Sequence, residues 1–329
     1  MTRACAGALS LTRVFVPALR VAPARPTGAR LELAGQALGT AWSVRGYTAG
    51  TDGAALRRAV ARELECVERE MSQWRGDSVL SRFNHAAAGS VHTLPAGFGA
   101  VMACALAVAA ETRGAFDPAL GALTELWGFG AAPTPAVAPD DRAVEAARRG
   151  SGWRRLHFDA GTRRLTQPGG AWLDLSGIAK GHAVDRVADL LRALGLGSFL
   201  VEIGGELRGE GIKADGQPWW VEIEAPPAAR YRPARVALHG LAIATSGDLL
   251  RAHTLDPASG RPLQDGPAAV TVLHPVCMWA DAYATALMVL GVEAGIALAD
   301  RLGLCASFAL RTPAGTVERC SAAFQRQLA

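Results

Sequence analysis

Residues 172–186 read Trp-Leu-Asp-Leu-Ser-Gly-Ile-Ala-Lys-Gly-His-Ala-Val-Asp-Arg, which sets a carboxylate, a hydroxyl and a lysine around one turn. An apolar, strand-like run ends at Asp174 and Ser176. A helical pattern follows, with Val184, Val187, Leu191 and Leu194 spaced 3, 4 and 3 apart. Ser176 is a natural cap for that helix. A helix start offers free N–H groups and a positive dipole end, which suit phosphate, and Lys180 adds a full positive charge. The segment reads either as a phosphate site with a carboxylate beside it or as a capped core helix with a solvated lysine. It is not a Walker A loop, whose glycine and lysine spacing is absent.

Residues 278–291 form a second segment, a helical pattern closed by Gly291. Asp281 and Thr285 are four apart and share a helix face. Most of the segment is apolar, so an unpaired Asp281 would be costly. A hard metal ion would satisfy it, and so would service as a helix cap. Between the two segments, His253, Thr254, Asp256 and Ser259 lie in a turn marked by Pro257, Gly260 and Pro262, with Ala-Thr-Ser-Gly-Asp upstream at 244–248. A histidine in such a turn is a candidate base, or else surface decoration.

Six blocks in order give the chain a resemblance to the ApbE family, the FAD:protein FMN transferases. They are Leu38-Gly39-Thr40; Met71-Ser72-Gln73-Trp74 through Ser81-Arg82-Phe83-Asn84; Gly114-Ala115-Phe116-Asp117-Pro118 with Leu126-Trp127-Gly128-Phe129-Gly130; residues 174–185 followed by Ile203-Gly204-Gly205-Glu206; residues 244–248 with 253–262; and residues 281–291. The resemblance implies that FAD lies against Leu38, Trp74, Ala115, Phe116, Asp117, Asp174, Lys180 and Leu255. It implies Mg²⁺ on the backbone carbonyl of Gly177 and the side chains of Asp281 and Thr285, with His253 as the catalytic histidine. The implied reaction moves FMN from FAD, the substrate, to a threonine hydroxyl of an acceptor flavoprotein, a respiratory or electron-transfer subunit, and releases AMP. Positioning and charge neutralisation do most of the catalysis in such phosphoryl transfer. The chain departs from the family pattern at Leu38 (usually Met), at Trp74 (often Tyr) and at Ala284, where some relatives place a second carboxylate. Its loop at 249–252 is shorter than the hairpin of many relatives.

The elements that must position these residues form a mixed pattern. Residues 31–48 read as strand with turn, and Leu56, Val60, Leu64, Val67 and Met71 mark an amphipathic helix. A second helix is expected at 97–112, ended by Gly114. A Pro/Ala-rich connector follows at 131–139, then a short helix from Asp140 or Asp141 to Gly150. Strand patterns recur at 154–158, 162–166, 198–203, 207–212, 219–224, 235–245 and 268–274, before a helix at 293–303 and a strand at 306–310. Helices interleaved with hairpins predict an α+β fold, mixed sheets with flanking helices, rather than a doubly wound parallel sheet. The resemblance puts FAD in a cleft between the two halves.

Composition bounds the rest. The chain has 329 residues, 50% hydrophobic and 19% charged, enough for a sizeable core in one large domain at 31–329. Much of the net charge of +4 comes from Arg3, Arg13, Arg20, Arg25 and Arg30, an N-terminal arm or poor export signal at 1–30. No nucleic-acid motif accompanies it, so no nucleic-acid partner is expected. The six cysteines show no C-x-x-C spacing and read as small buried hydrophobes. No uninterrupted apolar run approaches the roughly 18 residues of a membrane span. The resemblance points to the bacterial cell envelope, on the periplasmic side of the inner membrane. Three activities stay open: FMN transfer, a Mg²⁺-dependent FAD pyrophosphatase giving FMN and AMP, and non-catalytic FAD binding. The presence of His253, Asp281 and Thr285 argues against the last.

Overall fold

The computed structural model describes residues 13–18, 22–135, 137–247 and 253–328. The 249–252 loop and half of the expected N-terminal arm therefore lie outside the described residues. Strands β2 (Ala29–Ala37), β3 (Thr40–Thr48), β7 (Phe199–Ile203), β8 (Glu206–Glu210), β11 (Leu241–Gly247), β14 (Ala269–His274), β15 (Cys305–Thr312) and β16 (Gly315–Cys320) make the central sheet. Its order is β16-β15-β14-β11-β8-β7-β3-β2, and every neighbouring pair is antiparallel.

Successive residues of a strand point to opposite faces, and both faces of this sheet are covered. Phe199, Val201 and Ile203 of β7 join the main core, whereas Leu200 joins a second core on the other face. Helices α1 (Gly53–Met71), α3 (Ala96–Glu111), α6 (Ala179–Ala193) and α7 (Cys277–Leu302) bury their apolar residues in the main core. The short helices are α2 (Val79–Asn84), α4 (Gly121–Leu126), α5 (Asp141–Gly150) and α8 (Ala322–Gln325). Over the opposite face lies a three-stranded sheet of β1 (Val14–Phe15), β10 (Arg235–Leu238) and β9 (Trp219–Glu222), in that order. Phe15, Trp219, Val236 and Phe324 fill the second core. Strands β4 (Val91–Thr93), β6 (Arg164–Thr166) and β5 (His157–Asp159) form another small sheet, and β12 (Leu255–Asp256) pairs with β13 (Arg261–Pro262).

The expected α+β class is the observed one. The five periodic residues of α1 are its buried face, and Asp52 caps it by accepting from the N–H groups of Ala54 and Ala55. The run at 235–245 divides instead into β10 and β11, which belong to different sheets, because Gly240 turns the chain at φ 60°. The expected strand at 154–158 begins as a 3₁₀ turn over Trp153–Arg155. The two helices expected around Gly291 run on as α7, interrupted there by φ 71°. α7 is also the one helix among the described residues long and apolar enough to cross a bilayer, with mean hydropathy 1.7. Its apolar face is spent on the core: Ala282, Ala286, Leu287 and Leu298 are almost wholly buried.

Candidate active site

The start of α6 forms the floor of the site. Asp174 Oδ1 accepts the Ser176 N–H at 2.8 Å, and Asp174 Oδ2 accepts the Thr124 hydroxyl at 2.6 Å. Ser176 is not the cap that the sequence suggests. Ile178 takes that position with no side-chain cap bond, and the Ser176 hydroxyl accepts from Gln73 Nε2 at 3.2 Å. Two N–H groups of the helix start are already engaged. The Ala179 N–H is used by Leu175 O at 2.8 Å, and the Gly181 N–H by Asp281 Oδ2 at 2.9 Å. Of the two features read there, the lysine is the one that faces the site.

α7 brings the second half. Asp185 accepts the Cys277 and Met278 N–H groups at 3.0 and 2.9 Å and pairs with Arg208, which fixes the start of α7 on α6. A Cβ on Gly181 would stand 2.6 Å from Cys277 O and 2.8 Å from Asp281 Cβ, so only glycine lets the helices approach this closely. A Cβ on Gly177 would stand 2.7 Å from Thr285 Oγ1, which itself lies 3.0 Å from the Ser246 hydroxyl. Gly177 and Thr285 thus touch, and Asp281 lines the same cavity with them. Ala284 is fully buried in the main core.

The charges interact strongly. Lys180 Nζ donates to Glu206 Oε1 at 2.7 Å, and the Glu206 side chain is 2% exposed. Burial draws the Lys180 ammonium down, but Glu206 and Asp281 outweigh it and hold the lysine above its ordinary value. Burial, then the Asp281 charge, lifts the Glu206 carboxyl. Burial also raises Asp281, against the pull of Lys180 and the Gly181 N–H. Glu206 stood in a matched block without a role. Its signal was a carboxylate set directly after Gly204-Gly205, at the end of the largely apolar run 199–203.

One cavity of about 440 Å³ collects Ala115, Phe116, Asp117, Asp174, Gly177, Lys180, His253, Leu255, Asp281 and Thr285, with Glu206 and Ser246 added. Leu38 and Trp74 line a neighbouring cavity of about 450 Å³ that shares Ser176 and Lys180 with the first. Trp74 is 63% exposed. Leu38 adopts φ 54°, and its N–H donates to Glu68 Oε1. His253 is solvent-exposed at the rim.

Asp117 accepts the Ala119 and Trp153 N–H groups at 2.8 and 3.0 Å, yet burial pushes its carboxyl up to about 6. The folded protein therefore holds a proton there that the unfolded chain, near 3.8, has released, so stability falls as pH rises from about 4 to about 6. Asp117→Asn should flatten that part of the melting-temperature profile by about 2–4 °C. An unchanged slope in thermal melts across this range would refute the assignment.

The ApbE family model matches residues 38–308. The chain is 35% identical over 308 residues to an FAD:protein FMN transferase from Vibrio cholerae, covering 90% of this chain and 92% of the relative. It is 34% identical over 287 residues to one from Klebsiella pneumoniae, covering 82% and 81%. The fold resembles the apo crystal structure of the Pseudomonas stutzeri flavinyl transferase ApbE, with a TM-score of 0.85, 38% identity, and 91% and 96% of the two chains covered. With the match spanning fold and site alike, this chain belongs to the ApbE family.

Proposed function

We infer that the chain transfers FMN from FAD to a threonine hydroxyl of an acceptor protein and releases AMP. The observation that carries this reading is the charge balance of the cavity. Four carboxylates, Asp117, Asp174, Glu206 and Asp281, face one ammonium, Lys180. A pyrophosphate is strongly anionic and would be repelled by such a lining unless a divalent cation entered with it. Asp281, Thr285 and the Gly177 carbonyl are hard oxygen donors that fit Mg²⁺. Glu206 Oε2 is buried beside them without a hydrogen-bond partner. Among the described residues no three His, Cys, Asp or Glu side chains cluster as a metal cage, so the hydroxyl and carbonyl donors are needed. When bound, the ion neutralises charge on the pyrophosphate and on departing AMP.

The chain's own residues supply the rest. Lys180, released in part from Glu206, holds a phosphate oxygen by a charge-assisted bond. Trp74 offers an aromatic platform and Leu38 an apolar contact. His253, at the rim, takes the proton from the acceptor hydroxyl. The Oγ–P bond to FMN forms as the P–O bond to AMP breaks, and the electron pair leaves on the AMP phosphate.

Incubation with FAD, Mg²⁺ and the flavin-acceptor domain of an electron-transfer subunit tests this. In-gel fluorescence should follow the acceptor band, with AMP released in step. Steady AMP release without a labelled protein would make the chain a pyrophosphatase instead. Lys180→Ala should weaken FAD binding by about 10–100-fold. Riboflavin, lacking phosphate, should lose about threefold or less. Equal loss of both ligands, read by flavin fluorescence, would make Lys180 structural.

A further inference from the structure

A second cavity, about 650 Å³, opens beside the flavin cavity and shares Thr245, Gly247 and His253 with it. Its floor is the central sheet, with Leu200, Leu207 and Ile243 along it. Its wall is β9. Trp220 and Glu222 line it, and so do Val221 and Ile223. Alternate strand residues point to opposite faces, so lining by both sets means that the cavity meets β9 along its edge. β9 ends its sheet, and among the described residues it pairs with β10 alone. The Ile223 N–H donates to Ala234 O at 2.9 Å, on the β10 side. The antiparallel alternation then turns the N–H and C=O groups of Trp220 and Glu222 outward, into the groove.

We propose that this groove holds the acceptor protein as an extended segment, added as a further strand to the open edge of β9 and ending with its hydroxyl at His253. The proposal rests on the FMN-transfer reading. Two features select a polypeptide as the occupant. The groove reaches His253 from a side other than the cavity that collects the phosphate-binding residues, which is where a second substrate must enter. Its wall is also, among the described residues, an unpaired row of main-chain donors and acceptors, which recognises the backbone of a partner strand. Open edges invite unwanted pairing and are ordinarily blunted, so one left beside a transferase centre is suited to a protein substrate.

The test uses Glu222→Pro. Proline at this position removes an outward N–H and leaves the bonds to β10 in place. The KM for the acceptor domain should rise about tenfold, with kcat and FAD affinity within about twofold. Glu222→Ala, which keeps the backbone donor, should retain the parent KM. Hydrogen exchange on the unmodified protein gives an answer even where the proline variant fails to fold. A saturating acceptor domain should slow exchange of the amides at 219–224, and FAD alone should not. A parent KM in Glu222→Pro, or unchanged exchange at 219–224 with acceptor bound, would overturn the proposal. A parent protein that binds FAD but labels no acceptor would overturn the transferase reading itself, and this proposal with it.

Discussion

Replacing Asp281 with asparagine should lower the rate of AMP release at least about 100-fold while leaving the fold intact. The choice of asparagine follows from the geometry. Asp281 Oδ2 accepts the Gly181 N–H at 2.9 Å, and Asp281 is 3% exposed. Alanine would remove the anion and also strand that buried N–H, at a cost of about 1–3 kcal/mol. Asparagine keeps an acceptor for Gly181 and removes only the charge. Asp281 is the one anionic member of the proposed metal set with Thr285 and Gly177, so losing its charge should weaken Mg²⁺ binding directly. EDTA should reproduce the defect in the parent protein, and excess Mg²⁺ should restore the variant only in part. Single-turnover AMP release, with thermal melts as the fold control, separates the cases. Full turnover by Asp281→Asn in the presence of EDTA would sink the metal assignment.

The parts of this site that could be read in the sequence are those written in local pattern. The α1 face, the α7 spacing of Asp281 and Thr285, and the polar turn at His253 each lie within a few residues of one another. What escaped depends on contacts between distant segments. The Lys180–Glu206 pair joins positions 26 apart, and the Gly181–Asp281 bond joins positions 100 apart. Ser176 was a reasonable cap by residue type, but the helix begins only at Ala179, with Ile178 in the cap position. At the helix start, Leu175 O and Asp281 Oδ2 take the Ala179 and Gly181 N–H groups, contacts that residue order does not state. Short elements such as α2, α4 and β4 carry too few residues for a period to show. The open edge of β9 is a property of strand order, which no local pattern states.

His253→Ala should lower transfer to the acceptor by about 10²–10⁴-fold, the usual cost of one positioned base. FAD affinity should stay within about threefold of the parent, because Lys180, Asp281 and Trp74 remain. The position of His253 supports this division. It lies at the rim, exposed, on the boundary between the flavin cavity and the β9 groove. A group there touches the incoming hydroxyl more than the bound nucleotide. An imidazole accepts a proton only when neutral, so the parent rate should rise with pH until the histidine is deprotonated. The variant should lose that limb. Asp174 is the next candidate base within the cavity, but its two oxygens already accept from Ser176 and Thr124, which makes it the weaker candidate. The decisive measurement is paired, FAD affinity by flavin fluorescence and single-turnover transfer across pH. If affinity collapses in step with rate, His253 pins the turn that ends at Gly260, and the proton goes to Asp174. If affinity holds while transfer and its rise with pH vanish together, the histidine is the base, because a merely structural residue would not carry the pH dependence away with it.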